Sequence, residues 1–206
     1  MNYHPEKPII VQGDKSVLLE VDNEYYEDAR DVLARFAELE KSPEYVHTYR
    51  ITPLSLWNAA SAGMTAATIL SGLERHSKYP LPDNVRVDIE DYISRYGRVK
   101  LVWEESELRL VSDDRPLMTE LAHHKALKPF IAAQIGPRAL RMDPAHRGHI
   151  KQALVNIGYP AEDLVGYVDG EALEIHLRST TSSGGTFTLR DYQREAAEIF
   201  HAGGAA

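Results

Sequence analysis

Four cations crowd the second half of the chain: Arg138, Arg141, Arg147 and Lys151. Lys151 follows Arg147 by four residues, so on a helix both project from one side, and each can neutralise a phosphate without reading sequence. Ordinary surface charge is the plain alternative for any one of them. Phe130 and Trp103 are the side chains that could wedge into weakly stacked bases. His146-x-x-His149 and His123-His124 invite a metal reading, because histidines three apart can share a helical face. No third ligand accompanies them, so no metal is expected. His47, in a strand beside Tyr49, reads as a packed, hydrogen-bonded core histidine, since a catalytic base would need a partner that is not identifiable. Asp88, Glu90 and Asp91 share one helix and read as a solvated face. No catalytic residue is expected.

The elements that must position these groups begin with a hairpin, residues 9–12 and 17–21 joined by Gly13-Asp14-Lys15. A helix over 25–40 follows, capped by Asp22, with Tyr26, Ala29, Val32, Leu33, Phe36 and Leu39 on one stripe. A strand at 45–51 leads to Thr52-Pro53, an N-cap followed by proline at the first helical position. Helices are expected over 54–62, over 66–76 with Thr65 as cap, and on the face of Val85, Ile89, Tyr92, Ile93 and Tyr96. A second hairpin, 99–103 and 108–111, completes the order helix, helix, helix, hairpin, which is that of a winged helix. Its second helix offers only Ser71 and Arg75, with Lys78 just beyond, as DNA contacts, so a structural or partner-docking role outweighs base reading. Beyond Asp114 come a helix to about residue 125, a strand near 139–142, a helix capped by Asp143-Pro144 and ended by Gly158, and a strand at 172–177. Ser182-Ser183-Gly184-Gly185 centres a flexible linker. The fold class is α+β.

A chain of 206 residues, 43% hydrophobic and 26% charged, has room for one large domain or two small ones, and two are favoured. Its net charge of -8 argues against a protein that coats nucleic acid. The acid is uneven: residues 1–47 carry 11 acidic against 5 basic groups, whereas 48–112 carry 8 of each. The absence of cysteine excludes a disulfide framework, a thiol nucleophile and every thiolate zinc site. No apolar run approaches the roughly 18 residues of a membrane span, and the first residues lack a basic-then-apolar signal pattern, so a cytoplasmic chain with no membrane partner is expected.

Leu189-Arg190-Asp191-Tyr192-Gln193 resembles the entry motif of superfamily 2 helicases, which lies just ahead of their phosphate loop. Three upstream segments extend the likeness: Val46-His47-Thr48-Tyr49-Arg50-Ile51-Thr52-Pro53-Leu54-Ser55-Leu56-Trp57-Asn58-Ala59-Ala60, Ser77-Lys78-Tyr79-Pro80-Leu81-Pro82, and Tyr96-Gly97-Arg98-Val99-Lys100-Leu101-Val102. In that order they resemble the N-terminal region of XPB-type DNA repair helicases, over nearly the whole chain. The resemblance implies a family N-terminal domain at 1–112, with a hairpin-helix front and a winged-helix-like 53–112. It further implies a small mixed αβ damage-recognition domain at 98–178 whose boundary overlaps the hairpin, a linker at 179–186, and the start of a motor domain at 187–206. Gln193, with Arg190 and Tyr192, would recognise adenine in the intact helicase, where ATP and magnesium are the cofactors. DNA that is duplex, damaged or forked, the motor domains of the same helicase, and a partner nuclease or companion subunit are the implied partners. The role implied is the non-catalytic N-terminal portion of an ATP-dependent 3'-5' DNA helicase in nucleotide excision repair. The alternative is a free-standing module that docks a partner subunit or nuclease without binding DNA. These residues contain no Gly-x-x-x-x-Gly-Lys-Ser/Thr phosphate loop and no acidic box for magnesium, so no ATPase activity and no cofactor are expected of this chain itself.

Overall fold

Apolar residues alternate through the opening hairpin. In the computed structural model, which describes residues 3–166 and 178–201, β1 (Ile9–Val11) and β2 (Ser16–Glu20) pair antiparallel with Ile9 opposite Leu19. Asp14 fixes the turn: its carboxylate accepts the Ser16 N–H at 2.9 Å and the Ser16 hydroxyl at 3.1 Å. The next element departs from expectation. α1 (Tyr26–Leu33) stops well short of residue 40, and β3 (Glu38–Lys41) takes the rest of the expected helix. Between them a tight turn drives Phe36 inward to 1% exposure and leaves Leu39 53% exposed. Full burial of a phenylalanine is worth about 1.5–3 kcal/mol, whereas helix propensities of ordinary residues differ by less than about 0.7 kcal/mol each, so tertiary burial decides the ending. Asp22 does not cap α1. Its N-cap is Tyr25, without a side-chain bond, and Asn23 instead accepts the Tyr25 N–H at 3.0 Å.

β4 (Val46–Arg50) pairs with both β2 and β3, giving a four-stranded sheet in the order β1-β2-β4-β3. Thr52 then caps α2 (Pro53–Ser61) through a reciprocal pair: its hydroxyl accepts the Ser55 N–H, and the Ser55 hydroxyl oxygen accepts the Thr52 N–H, each at 3.0 Å. Thr65 caps α3 (Ala66–His76) by accepting the Thr68 N–H at 3.2 Å. α4 (Asp83–Arg95) buries Val85 and Ile89. The indole N–H of Trp57 on α2 donates to the Tyr92 carbonyl at 2.9 Å, tying α2 to α4. Sheet and helices close one core around Leu19, Leu33, Phe36, Leu56, Leu73 and Ile89.

Gly97 (φ 79°) turns the chain out of α4 and into a second core. β5 (Val99–Glu104), β6 (Glu107–Val111), β7 (Ile131–Gly136), β8 (Ala139–Met142) and β9 (Ala161–Asp163) form a five-stranded sheet in the order β7-β8-β6-β5-β9. β9 runs parallel to β5, with Ala161 beside Val99. The inward set Val99, Leu101, Leu108, Leu110, Leu140 and Met142 packs with α5 (Arg115–His123) and α6 (Arg147–Ile157). The expected order of three helices and a hairpin is present, but the hairpin does not pack as a wing on those helices. Its buried residues belong to the second core, because β6 is extended by β8 rather than left as an edge. Neither β7 nor β9 was expected from the sequence: β7 lacks a clean alternation and β9 is three residues long.

One ring joins the two cores. Tyr159, just past the left-handed Gly158 (φ 94°), has the Arg95 guanidinium at 5.6 Å from its centroid and that of Arg98 also at 5.6 Å. Each such contact is worth about 0.5–1 kcal/mol at a solvated site; the Arg95 contact ties the end of α4, and the Arg98 contact the start of β5, to the end of α6.

The chain divides at Gly166 into two units, Met1–Gly166 and Tyr167–Ala206. In the second, residues 180 and 186 bridge around a turn in which the Thr181 N–H donates to the Gly185 carbonyl at 2.7 Å, so the segment read as a linker carries its own hydrogen bonds. α7 (Asp191–His201) follows. The expected strand at 172–177 lies outside the described residues. Two sheets and seven α-helices among the described residues make the chain α+β.

The Thr52 cap yields a stability prediction. Thr52→Pro removes the backbone donor and the hydroxyl acceptor together and is expected to cost about 1–3 kcal/mol, lowering Tm by roughly 5 °C in a thermal melt. An unchanged melt would contradict the capping assignment.

Candidate functional site

Ion pairing decides what the four cations can do. Arg147 and Lys151 do lie on one side of α6, and β9 brings a carboxylate to them. Arg147 donates to the two Asp163 carboxylate oxygens through Nη2 at 2.7 Å and Nε at 3.1 Å, and Lys151 Nζ adds a bond at 2.9 Å. A further Arg147 N–H reaches the Gly166 carbonyl at 2.8 Å. Asp163 has a side chain only 14% exposed. Burial pushes its carboxyl upward, but the bonds from Arg147 and Lys151, with that from the Val165 N–H, outweigh burial and leave it titrating below the ordinary aspartate value. This clamp fastens α6 to β9.

Arg138 and Arg141 lie across the sheet from β9, one strand in from the β7 edge. Arg141, on β8, pairs with Glu107 at 3.0 Å, and Arg138, in the turn before it, lies 3.6 Å from the fully exposed Asp113. Glu107 is held below the usual carboxylate range first by Arg141 and then by Arg109. Arg109 stands opposite Arg141 across β6 and β8. Its guanidinium also meets Glu104 and Glu105, while its Nε is buried with no partner. The structure therefore splits the four predicted phosphate contacts into a clamped pair on α6 and two solvent-facing pairs near β8.

The two aromatic candidates differ. Trp103 is 50% exposed near the tip of the β5–β6 hairpin. Phe130, half-buried in a short 3-10 turn before β7, has its ring centroid 5.4 Å from that of His146 and 6.0 Å from that of His149. His146 Nδ1 is within 2.9 Å of the Asp143 carboxylate. The histidine spacing considered for a metal thus gathers an aromatic cluster, and among the described residues no group of three His, Asp or Glu side chains is disposed to hold an ion. His47 Nδ1 lies 3.1 Å from the Tyr26 hydroxyl, a packed histidine in a hydrogen bond. Asp88 and Asp91 are held by Lys15 and Arg95.

In the second unit, Gln193 folds its amide back on the start of α7, where Oε1 accepts the Arg190 N–H at 3.1 Å. The Arg190 guanidinium reaches the Tyr192 hydroxyl at 3.5 Å, and all three side chains face solvent. Asp163 is the residue that sequence reasoning missed. The carboxylate is visible in the sequence, but its partners lie 12 and 16 residues away, and only the pairing of β9 with β5 brings them together.

Residues 9–136 match the family model described as helicase conserved C-terminal domain. The chain is 49% identical over 199 residues to the DNA 3'-5' helicase XPB of Mycobacterium tuberculosis and 44% identical over 199 residues to that of Kineococcus radiotolerans. Each alignment covers 96% of this chain and 35% of the relative, so the chain spans about a third of their length. It is also 30% identical over 168 residues to the general transcription and DNA repair factor IIH helicase/translocase subunit XPB of Enterocytozoon bieneusi, covering 82% of this chain and 27% of that protein.

The clamp predicts an acid-sensitive stability. Because the Asp163 carboxyl titrates lower in the folded chain than the unfolded value of about 3.9, its contribution is full above that value and is lost as pH falls through the folded value. Asp163→Asn is expected to cost about 2 kcal/mol at neutral pH and to flatten the fall in Tm as pH drops below about 4. An Asp163→Asn melt that keeps the parent's acid slope would rule the clamp out as its source.

Proposed function

The chain belongs to the XPB-type helicase family, and we infer that it is the non-catalytic N-terminal portion of an ATP-dependent 3'-5' DNA helicase acting in DNA repair. Its contribution is to engage DNA ahead of the motor and to dock a partner. The observation that carries this reading is the order of segments: the whole matched region, 9–136, precedes Leu189-Arg190-Asp191-Tyr192-Gln193. That order supports an N-terminal position even though the family description speaks of a C-terminal domain. No phosphate loop occurs in these residues, so no hydrolytic step is assigned to them. Gln193 would hold adenine in the intact helicase by exchanging its bond to the Arg190 N–H for bonds to the base edge. In a damage-recognition role, the 98–178 region would sense how easily a duplex deforms rather than read base edges.

A second reading rests on the front of the chain. β3 is the free edge of the first sheet, and all four of its residues are exposed, with Leu39 and Tyr45 outward among Glu38, Glu40 and Glu44. Such an edge, in the acidic half of the chain, suits docking of a companion subunit better than DNA.

Fluorescence anisotropy with intact, mismatched and forked duplexes at two salt concentrations separates the readings. DNA engagement predicts stronger binding to distorted duplexes that weakens as salt rises. No binding at low salt would leave partner docking as the function of this region.

A further inference from the structure

The charge of the chain reverses sharply in one stretch. Between residues 121 and 160, Asp143 is the sole carboxylate, against six Lys and Arg and four His. Four of those six cations are committed: Arg147 and Lys151 to Asp163, Arg141 to Glu107, and Arg138 to Asp113. The remaining two, Lys125 and Lys128, are exposed and enter no ion pair among the described residues. Lys128 shares its 3-10 turn with Phe130.

Phe130 is also where three rings of this unit gather, its own with those of His146 and His149. Its ring lies at 22° to that of His149, and His146 and His149 stand 5.7 Å apart, both exposed. Phe130 also lines a cleft of about 400 Å³ whose wall carries Pro129, Ile131, Arg141 and Pro144 together with Glu107 and Asp143. The Asp143 N–H donates to the Phe130 carbonyl at 3.0 Å, which holds the turn bearing Phe130 against the turn bearing His146. A cluster of π-faces in the same stretch as two lysines that enter no ion pair is suited to a planar ring carrying negative charge, with Asp143, held by His146 Nδ1 at 2.9 Å, as the one carboxylate of that stretch. Stacking accepts any base, and unpaired lysines accept the phosphates between bases. A paired base inside a duplex offers no free face, so the matching ligand is an unpaired nucleotide.

We propose that Phe130, His146 and His149 form a stacking platform for unpaired nucleotides of single-stranded DNA, with Lys125 and Lys128 contacting the adjoining phosphates. This site rests on the DNA-engaging reading above and gives it residues other than the clamped Arg147 and Lys151, although His149 lies between them on α6.

The test uses the whole chain with a short single-stranded oligonucleotide carrying 2-aminopurine, read by both base fluorescence and anisotropy, next to a matched oligonucleotide with abasic positions. Stacking predicts quenched fluorescence and about ten-fold weaker binding of the abasic strand. His149→Ala, and Phe130→Leu as a variant that keeps the half-buried position apolar, are each expected to relieve quenching and weaken binding by about ten-fold, whereas His149→Phe retains both. Lys125→Gln with Lys128→Gln is expected to reduce the slope of log affinity against log salt by about 1.4 while leaving the residual quenching in place. If the strand binds but is not quenched and His149→Ala binds like the parent, the platform is wrong while DNA engagement stands. If no duplex or single strand binds at low salt, the platform and the DNA-engaging reading fall together.

Discussion

The ring of Tyr159 between the Arg95 and Arg98 guanidinium groups marks the place where the fold of the first unit is closed. α6 ends at Gly158, whose left-handed conformation reverses the chain, and within five residues the backbone has passed Tyr159, entered β9 beside β5, and delivered Asp163 to Arg147 and Lys151. A side chain on Gly158 would meet the Arg95 guanidinium at 3.2 Å, besides being strained at φ 94°. Glycine therefore makes this return with the least strain and leaves Arg95 its place on the ring. Without that return, β5 would be an open edge of the second sheet and α6 would lose its tether. Three residues of strand are enough because side chains on both flanks hold them.

The same segment determines which cations remain for a polyanion. A partly buried carboxylate attracts the nearest flexible cations, and removing either from Asp163 to serve a phosphate would leave an incompletely neutralised charge where desolvation is costly. Surface pairs such as Arg138 with Asp113 and Arg141 with Glu107 impose a smaller penalty, since exposed ion pairs are worth about 1 kcal/mol or less. Cations with no pair to break impose none. The order in which these groups could turn to phosphate is therefore Lys125 and Lys128 first, Arg138 and Arg141 next, and Arg147 and Lys151 last.

What the sequence revealed divides by distance along the chain. Caps and turns act over three or four residues: Thr52 with Ser55 and Thr65 with Thr68 were legible because donor and acceptor sit in one short window. Helices α2, α3 and α4 and both hairpins followed. The 25–40 stripe misled because Phe36 fits a helical period and a buried turn equally well, and only the sheet below it favours the turn. The Asp163 clamp and the Phe130 cluster depend on contacts 12 to 19 residues apart that β9, β7 and the 3-10 turns create. Spacing identified the histidines and the basic pair on α6, yet it could not reveal that a phenylalanine would face the first or an aspartate neutralise the second.

An acidic front and a basic stretch on one unit also constrain how that unit meets a polyanion. Residues 1–47 carry 11 acidic against 5 basic groups, and their exposed part includes the edge strand β3. The stretch from 121 to 160 has the opposite sign. In the field of a nucleic acid the front is repelled and the stretch attracted, so the approach is oriented before any contact forms. Salt screens this over about 10 Å at 0.1 M, which leaves short-range stacking and phosphate contact to hold what orientation has delivered. On the proposed reading, DNA engagement and docking use opposite signs of charge on the same unit and need not compete.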